Sequence, residues 1–401
     1  MSPTPAAPLS VFDSTTLGPL RLRNRFVKAA TFEGMSPGGI PSPRLAEFHG
    51  AFAAGGVALS TVAYCAVDPG GRTYADQIWL RPAVRKPLQK VTDAIHRGGA
   101  YAAAQLGHSG YFANPRESGE RGIAPSRVFS PYGLSFPRAF RTEDFERVAG
   151  LYAEAARIAV DSGFDALELH LGHGYLLSQF LSPHTNRRRD GWGGSIENRA
   201  RFPRQVAQAV RDAVGPSIAL WGKLNMTDGF RGGLTEDDAL RAAQMLERDG
   251  CLDALQLTSG FTSRTPMLLL RGEVPLRDLI QYEPDRLRRV GMRLMAGRFL
   301  RRYPFEEWFH RAPALRFRHK LTMPLMALGG LTRLDTMNQA VHAGFQFIAL
   351  ARALLREPAL VERFRRGELD ASPCTPCNRC ITEMRRYGTR CVERPEWGEE
   401  A

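Results

Sequence analysis

Residues 165–202 read DALELHLGHGYLLSQFLSPHTNRRRDGWGGSIENRARF. The apolar run of Ala166, Leu167 and Leu169 ends in His170 and His173, with Tyr175 close behind. A short apolar run bounded by glycine and polar residues reads as a buried strand. Its polar groups then sit at the C-terminal end, where α/β enzymes keep their chemistry. Neutral histidines donate hydrogen bonds to a carbonyl or nitro oxygen, and a tyrosine supplies a proton. A single histidine here would more often be a satisfied core residue. Three such groups in six residues shift the weight toward a site, and no acid or cysteine nearby completes a tetrahedral metal set.

The same stretch resembles the old yellow enzyme family of FMN-dependent ene-reductases. The family pattern is Glu-aliphatic-His, then His or Asn three residues on, then Gly-Tyr-Leu. It continues with Phe-Leu-Ser-Pro, Asn-Arg-Arg-x-Asp and Gly-Gly-Ser-x-Glu-Asn-Arg. Glu168, His170, His173 to Leu176, Phe180 to Pro183, Asn186 to Arg188, Asp190 and Gly193 to Arg199 match it. The resemblance extends over about residues 12–380 and implies a cofactor, FMN, reduced by NAD(P)H.

The totals set the frame. A chain of 401 residues with 43% hydrophobic content is globular, and α/β barrels often exceed 250 residues as one domain. No run of about 18 apolar residues marks a transmembrane helix. The N-terminus MSPTPAAPLS is not a secretory signal, so a cytoplasmic location is expected. Six cysteines in 401 residues are sparse and argue against a disulfide scaffold. The net charge of +13, almost all arginine, is a weak pointer to nucleic acid or membrane.

Residues 1–10 read as disordered. Strands are expected at Asn24–Ala30, Gly56–Val67, Tyr101–His108 and Asp165–His170. Four more are expected at Ser217–Asn225, Leu255–Gly260, Leu325–Leu331 and Phe345–Leu350. Helices are expected at about 88–97, from Thr142, over 196–214, and from a Thr235 cap to about Arg248. Strands alternating with helices give a parallel sheet, and eight units with one active face give a (β/α)8 TIM barrel. That barrel spans 11–368, with a basic insertion at 264–320 between strands six and seven and a cysteine-rich extension at 369–401. The Gly-, Pro- and Ser-rich loop 109–141 reads as a lid.

The resemblance implies cofactor contacts at Ala29, Ala30, Thr31 and Phe32, and at Gln105 on the flavin's pyrimidine edge. It places Lys223 where the family has an arginine near the reduced ring. Glycines at a strand–helix junction offer N–H groups to a phosphate, and an arginine adds a fork. Gly329, Gly330 and Arg352 match the family's phosphate site, and Ala351 stands there in place of a usual glycine, a mild departure if only its N–H is used. Three further residues depart from the family. Phe32 replaces a Thr or Cys that tunes the flavin and cannot donate a hydrogen bond. Tyr64 stands where a small residue lies, and Lys223 lacks the bidentate fork of arginine.

From Arg286 to Lys320 there are eleven Arg or Lys and two acids, interleaved with apolar and aromatic residues. Amphipathic helices over the barrel mouth are the first reading. A membrane surface or an acidic partner is the second, and nucleic acid the last. Cys374, Cys377, Cys380 and Cys391 have spacing suited to an iron–sulfur cluster or zinc. Dienoyl-CoA reductases and trimethylamine dehydrogenase carry a four-iron cluster after the barrel at similar spacing.

The resemblance implies catalysis by His170 and His173, holding an activated alkene's carbonyl or nitro oxygen, with Tyr175 as proton donor. Two alternatives remain. One is a dehydrogenase or demethylase passing electrons through the cysteines to an outside partner. The other is a flavin- or metal-binding protein without turnover.

Overall fold

The computed structural model describes residues 9–130, 134–283 and 286–394. The expectation of disorder over 1–10 lies outside these except at its end, where His342 Nε2 meets the Leu9 carbonyl at 2.8 Å. The last residues of the cysteine-rich extension also lie outside them.

Eight parallel strands form the barrel: β1 Phe26–Lys28, β2 Leu59–Ala66, β3 Tyr101–Gly107, β4 Ala166–Leu171, β5 Ala219–Asn225, β6 Ala254–Thr258, β7 Leu325–Ala327 and β8 Phe347–Leu350. Each pairs with its sequence neighbours, and β8 pairs with β1 to close the ring. Almost every residue in these strands is buried, as expected of parallel strands covered on both faces. The ladders stop short of several expected ends. Ala29 and Ala30 lie beyond β1, and Leu328 to Leu331 lie beyond β7. These site-bearing ends are loops; after β7 the left-handed Gly329 and Gly330 turn the chain away from its neighbours, while Ala29 still donates to the Leu350 carbonyl at 2.8 Å.

Helices Arg85–Arg97, Thr142–Asp161, Ile196–Val214 and Glu236–Asp249 pack outside the barrel. The Thr235 hydroxyl accepts from the Asp238 N–H at 3.3 Å, which caps the fourth of these as its sequence implied. At the N-terminal end an antiparallel hairpin, Thr15–Leu17 with Leu20–Leu22, brings three leucines onto Ala58, Ala103, Ala166, Ala219 and Ala254. Small residues on the strands leave room for these leucines, so the barrel is packed at that end and open only at the other.

The insertion is more than a pair of helices. It holds Pro266–Leu270, Leu276–Tyr282, Arg286–Phe299 and Arg311–Arg318. The last of these buries Ala314 and Phe317 in the main core, as a barrel helix would. Val290 and Leu294 on the third face outward. In the 109–141 loop, Ile123–Ala124 pairs with Arg138–Ala139, and Phe112 is buried beneath it. Among the described residues, no helix is long and apolar enough to cross a membrane.

Candidate functional site

The ends of β3, β4 and β5 lie in register, which sets the floor of the site. Gln105 stands beside Glu168, and His170 beside Lys223. Side chains two apart on a strand share a face, so Glu168 and His170 both point inward. Glu168 is 1% exposed and meets Gln105 Nε2 at 2.5 Å, Trp221 Nε1 at 2.9 Å and Lys223 Nζ at 3.3 Å. Lys223 thus has an internal counter-ion before any cofactor is considered. With its amide nitrogen committed to Glu168, Gln105 keeps its carbonyl oxygen for a ligand's N–H.

His173 takes a left-handed backbone angle (φ 58), uncommon for a residue with a side chain. Four contacts hold it: its N–H donates to Asn225 Oδ1 at 3.1 Å, Nε2 meets Thr258 Oγ1 at 2.9 Å, and its carbonyl accepts from the Thr262 N–H at 3.0 Å and the Thr262 hydroxyl at 2.9 Å. The turn brings its ring 5.1 Å from that of His170, and the Tyr175 ring stacks on His170 at 4.4 Å. Burial, then mutual repulsion and the Lys223 charge, push His170 well below the ordinary imidazole value. Burial and Lys223 do the same to His173. Burial pushes the Tyr175 phenol well up. All three are therefore neutral near pH 7: two imidazoles able to donate and a phenol that keeps its proton. His170 Nδ1 is buried without a partner among the described residues, as expected of a group awaiting a ligand.

Every residue expected to hold the cofactor or act on the substrate lines one cavity of about 300 Å³: Ala29, Ala30, Thr31, Phe32, Gln105, Lys223, Gly329, Gly330, Ala351 and Arg352, with His170, His173 and Tyr175. A contiguous chamber of about 230 Å³ shares Phe32, His173 and Tyr175 and adds Tyr74, Phe112 and Phe261, with no Asp, Glu, Lys or Arg among its lining residues. Phe32 stacks on Tyr74, with ring centres 5.4 Å apart. It is a wall of that chamber and donates no hydrogen bond. The Tyr64 hydroxyl is tied to the Gly71 carbonyl at 3.0 Å, and its ring lies 5.2 Å from that of Tyr175.

Beneath Thr31 lies a buried ion pair that sequence reasoning missed. Lys28 Nζ meets Glu33 Oε1 at 2.9 Å, Thr31 Oγ1 at 3.2 Å and the Thr61 carbonyl at 3.2 Å. An ammonium only donates, so the Thr31 oxygen accepts and its own proton is free to point elsewhere. Glu168 was also missed as a functional partner. Its signal was a carboxylate inside an apolar strand, which requires compensation.

Two of the cysteines, Cys374 and Cys380, reach the main cavity, and all four line one small pocket with Arg352. Burial raises the Cys374 thiol to about 11 and the Cys380 thiol to about 12, against the pull of Arg352. Among the described residues, no three ligand-type side chains are arranged to hold one ion. The donor chemistry suits a cluster or zinc, but the geometry does not close around one.

Comparison with known proteins gives the family. The family model for NADH:flavin oxidoreductase / NADH oxidase matches residues 10–255. A 4,4'-dithiodibutanoate disulfide reductase of Rhodococcus erythropolis is 46% identical over 98% of this chain and 96% of its own. A multifunctional alkene reductase/demethylase of Caballeronia cordobensis is 27% identical over 96% of this chain but only 52% of its own, so this chain spans about half of that relative. Among solved structures, a 2-naphthoyl-CoA reductase superposes with a TM-score of 0.79 at 24% identity, covering 92% of this chain and 54% of that one. An old yellow enzyme homologue from Zymomonas mobilis gives 0.72 at 22% identity, covering 91% and 94%. At those identities the two structures speak for the fold alone. The family match and the long Rhodococcus alignment carry the assignment: the chain belongs to the NADH:flavin oxidoreductase / NADH oxidase family and is an FMN-dependent NAD(P)H oxidoreductase.

Proposed function

We propose that this enzyme reduces electron-poor alkenes, α,β-unsaturated carbonyl or nitro compounds, at the expense of NAD(P)H. The observation that carries the reading is the convergence of His170, His173 and Tyr175 on the cavity that also holds Gln105 and Lys223. Bound FMN supplies the two-electron exchange between NAD(P)H and the acceptor. Gln105 and Lys223 would hold its ring, while Gly329, Gly330, Ala351 and Arg352 would hold its phosphate, where barrels commonly bind one.

The chain's own residues do the rest. His170 and His173, both neutral, donate to the acceptor's oxygen and stabilise the charge that gathers there. Each donor is worth about 3 kcal/mol in comparable sites. Tyr175 gives its proton to the α carbon, which balances the reaction: NAD(P)H, one proton and the alkene yield NAD(P)+ and the saturated product. The aromatic chamber seats the uncharged body of the substrate and keeps water from the reacting carbons. The test is anaerobic NAD(P)H oxidation with cyclohex-2-enone and a nitroalkene. A protein that holds FMN and is reduced by NAD(P)H, yet turns over neither compound, would end the proposal.

The Rhodococcus relative favours a second reading, reduction of a disulfide to two thiols. Tyr175 would then protonate the departing thiolate. The uncharged chamber suits a neutral disulfide better than a dicarboxylate. Assaying 4,4'-dithiodibutanoate beside a neutral disulfide and cyclohexenone separates the readings. An iron–sulfur cluster in the cysteine pocket would relay electrons to an outside partner, zinc there would be structural only, and no step above depends on either.

A further inference from the structure

Gly329 and Gly330 both hold left-handed angles, φ 104 and 78. The insertion presses on them: a Cβ on Gly329 would lie 2.5 Å from His310 Nδ1, and one on Gly330 2.6 Å from Phe309 Cδ1. His310 is 3% exposed and lines the same cavity as Arg352. Neither of its ring nitrogens has a hydrogen-bond partner among the described residues. Burial and the Arg271 charge hold it at about 3; the Leu328 carbonyl, close by but outside hydrogen-bond geometry to either ring nitrogen, acts the other way.

A neutral imidazole carries one N–H donor and one acceptor. Burying both unpaired is costly unless a ligand satisfies them. The surroundings indicate the ligand's charge. Arg352 spends Nη1 on the Arg271 carbonyl and Asn378 Oδ1, and it makes no salt bridge to a carboxylate among the described residues. Arg271 stacks on Phe309 and reaches Glu306 only at 3.5 Å. A buried guanidinium without an acid, a second arginine and an orphaned imidazole all meet at the loops after strands seven and eight, where a barrel binds phosphate.

We propose that His310, supplied by the insertion, donates a hydrogen bond to the FMN phosphate alongside Gly329, Gly330 and Arg352. This rests on the reading that those three residues form the phosphate seat. It gives the 264–320 segment a role in retaining the cofactor beyond covering the barrel mouth.

The test compares FMN with riboflavin, which lacks the phosphate, in equilibrium binding to the flavin-free full-length chain. His310→Ala should weaken FMN by about 10–100-fold, as expected for losing a hydrogen bond to a charged group, and leave riboflavin within about twofold. His310→Asn, which keeps an N–H donor, should recover most of the loss. Riboflavin binding also reports that each variant is folded. An equal loss for both ligands, or a loss for neither, overturns the proposal. Arg352→Ala is the control for the seat. If it weakens FMN selectively and His310→Ala does not, the histidine alone is misassigned. If neither discriminates, the seat itself is misplaced.

Discussion

Glu168→Gln keeps the shape of the buried carboxylate and removes its charge. The carboxylate lies 3.3 Å from the Lys223 ammonium, and both side chains are almost fully buried. Two unit charges at that distance attract by about 5 kcal/mol at an effective dielectric of about 20. Breaking a buried pair at one end typically costs about 3–5 kcal/mol, because the other charge is left unpaired. The amide oxygen can still accept from Trp221 Nε1. The amide nitrogen then faces Gln105 Nε2 and Lys223 Nζ, both donors. A chain of 401 residues has an unfolding entropy of about 0.84 kcal/mol/K at about 2.1 cal/mol/K per residue, so the melting point should fall by about 4–6 °C.

Thermal unfolding followed by circular dichroism, in flavin-free protein so that no ligand charge substitutes for the carboxylate, measures this drop. The diagnostic variant is the double, Glu168→Gln with Lys223→Met. With both charges gone, no unpaired ion is buried, and it should melt within about 2 °C of wild type. A single variant that melts within a degree of wild type refutes the reasoning. So does a double variant as unstable as the single.

Three further outcomes follow from the same geometry. Tyr175→Phe should slow alkene reduction by about 10²–10⁴-fold while NAD(P)H still reduces the flavin at its normal rate, and rapid-mixing kinetics separates the two steps. Burial, with the Lys28 charge assisting, holds His49 at about 4. A histidine lowered in the fold contributes stability that is complete above its unfolded value near 6.5 and is lost as pH falls toward its folded value. His49 alone accounts for about 3 kcal/mol over that window, so melting points should be flat above pH 7 and fall between pH 6.5 and 4, less steeply in His49→Gln. If the cysteine pocket holds a cluster, protein purified without oxygen should contain iron and a broad visible shoulder that Cys377→Ser abolishes; metal-free protein would remove the relay.

The strands were legible because each is a short apolar run closed by glycine or a polar residue. Parallel strands buried on both faces leave little room for any other pattern. His170 and Lys223 were legible because each interrupts an apolar run near the C-terminal end of a strand; His173 and Tyr175, in the turn beyond it, were read with the family pattern. Glu168 was read only as one letter of a family pattern. Its role depends on partners 63, 53 and 55 residues away, brought together by strand register. Lys28 and Glu33 are five residues apart, and a lysine inside an apolar strand with an acid close behind is a pair that could have been anticipated. His310 gave no such signal. It sits in a basic, aromatic segment whose obvious use is to cover a surface, and only the contact with Gly329 places it in the cavity.

The two buried lysines bear differently on the cofactor. Lys28 spends its donors on Glu33, Thr31 and the Thr61 carbonyl, so it shapes the cavity floor without facing the cavity as a free charge. Lys223 lines the cavity and divides its charge between Glu168 and whatever binds above it. Removing the Glu168 charge therefore leaves Lys223 to stabilise any negative charge that bound flavin gains on reduction. Glu168→Gln should raise the flavin midpoint potential, and a tenfold preference for the reduced form corresponds to about 30 mV for two electrons. Lys28→Met should move it much less, because that lysine's charge is already spent. Dye-equilibrated titration of the two variants decides the matter. A potential that falls in Glu168→Gln, or moves equally in both, would mean that Lys223 does not face the ring.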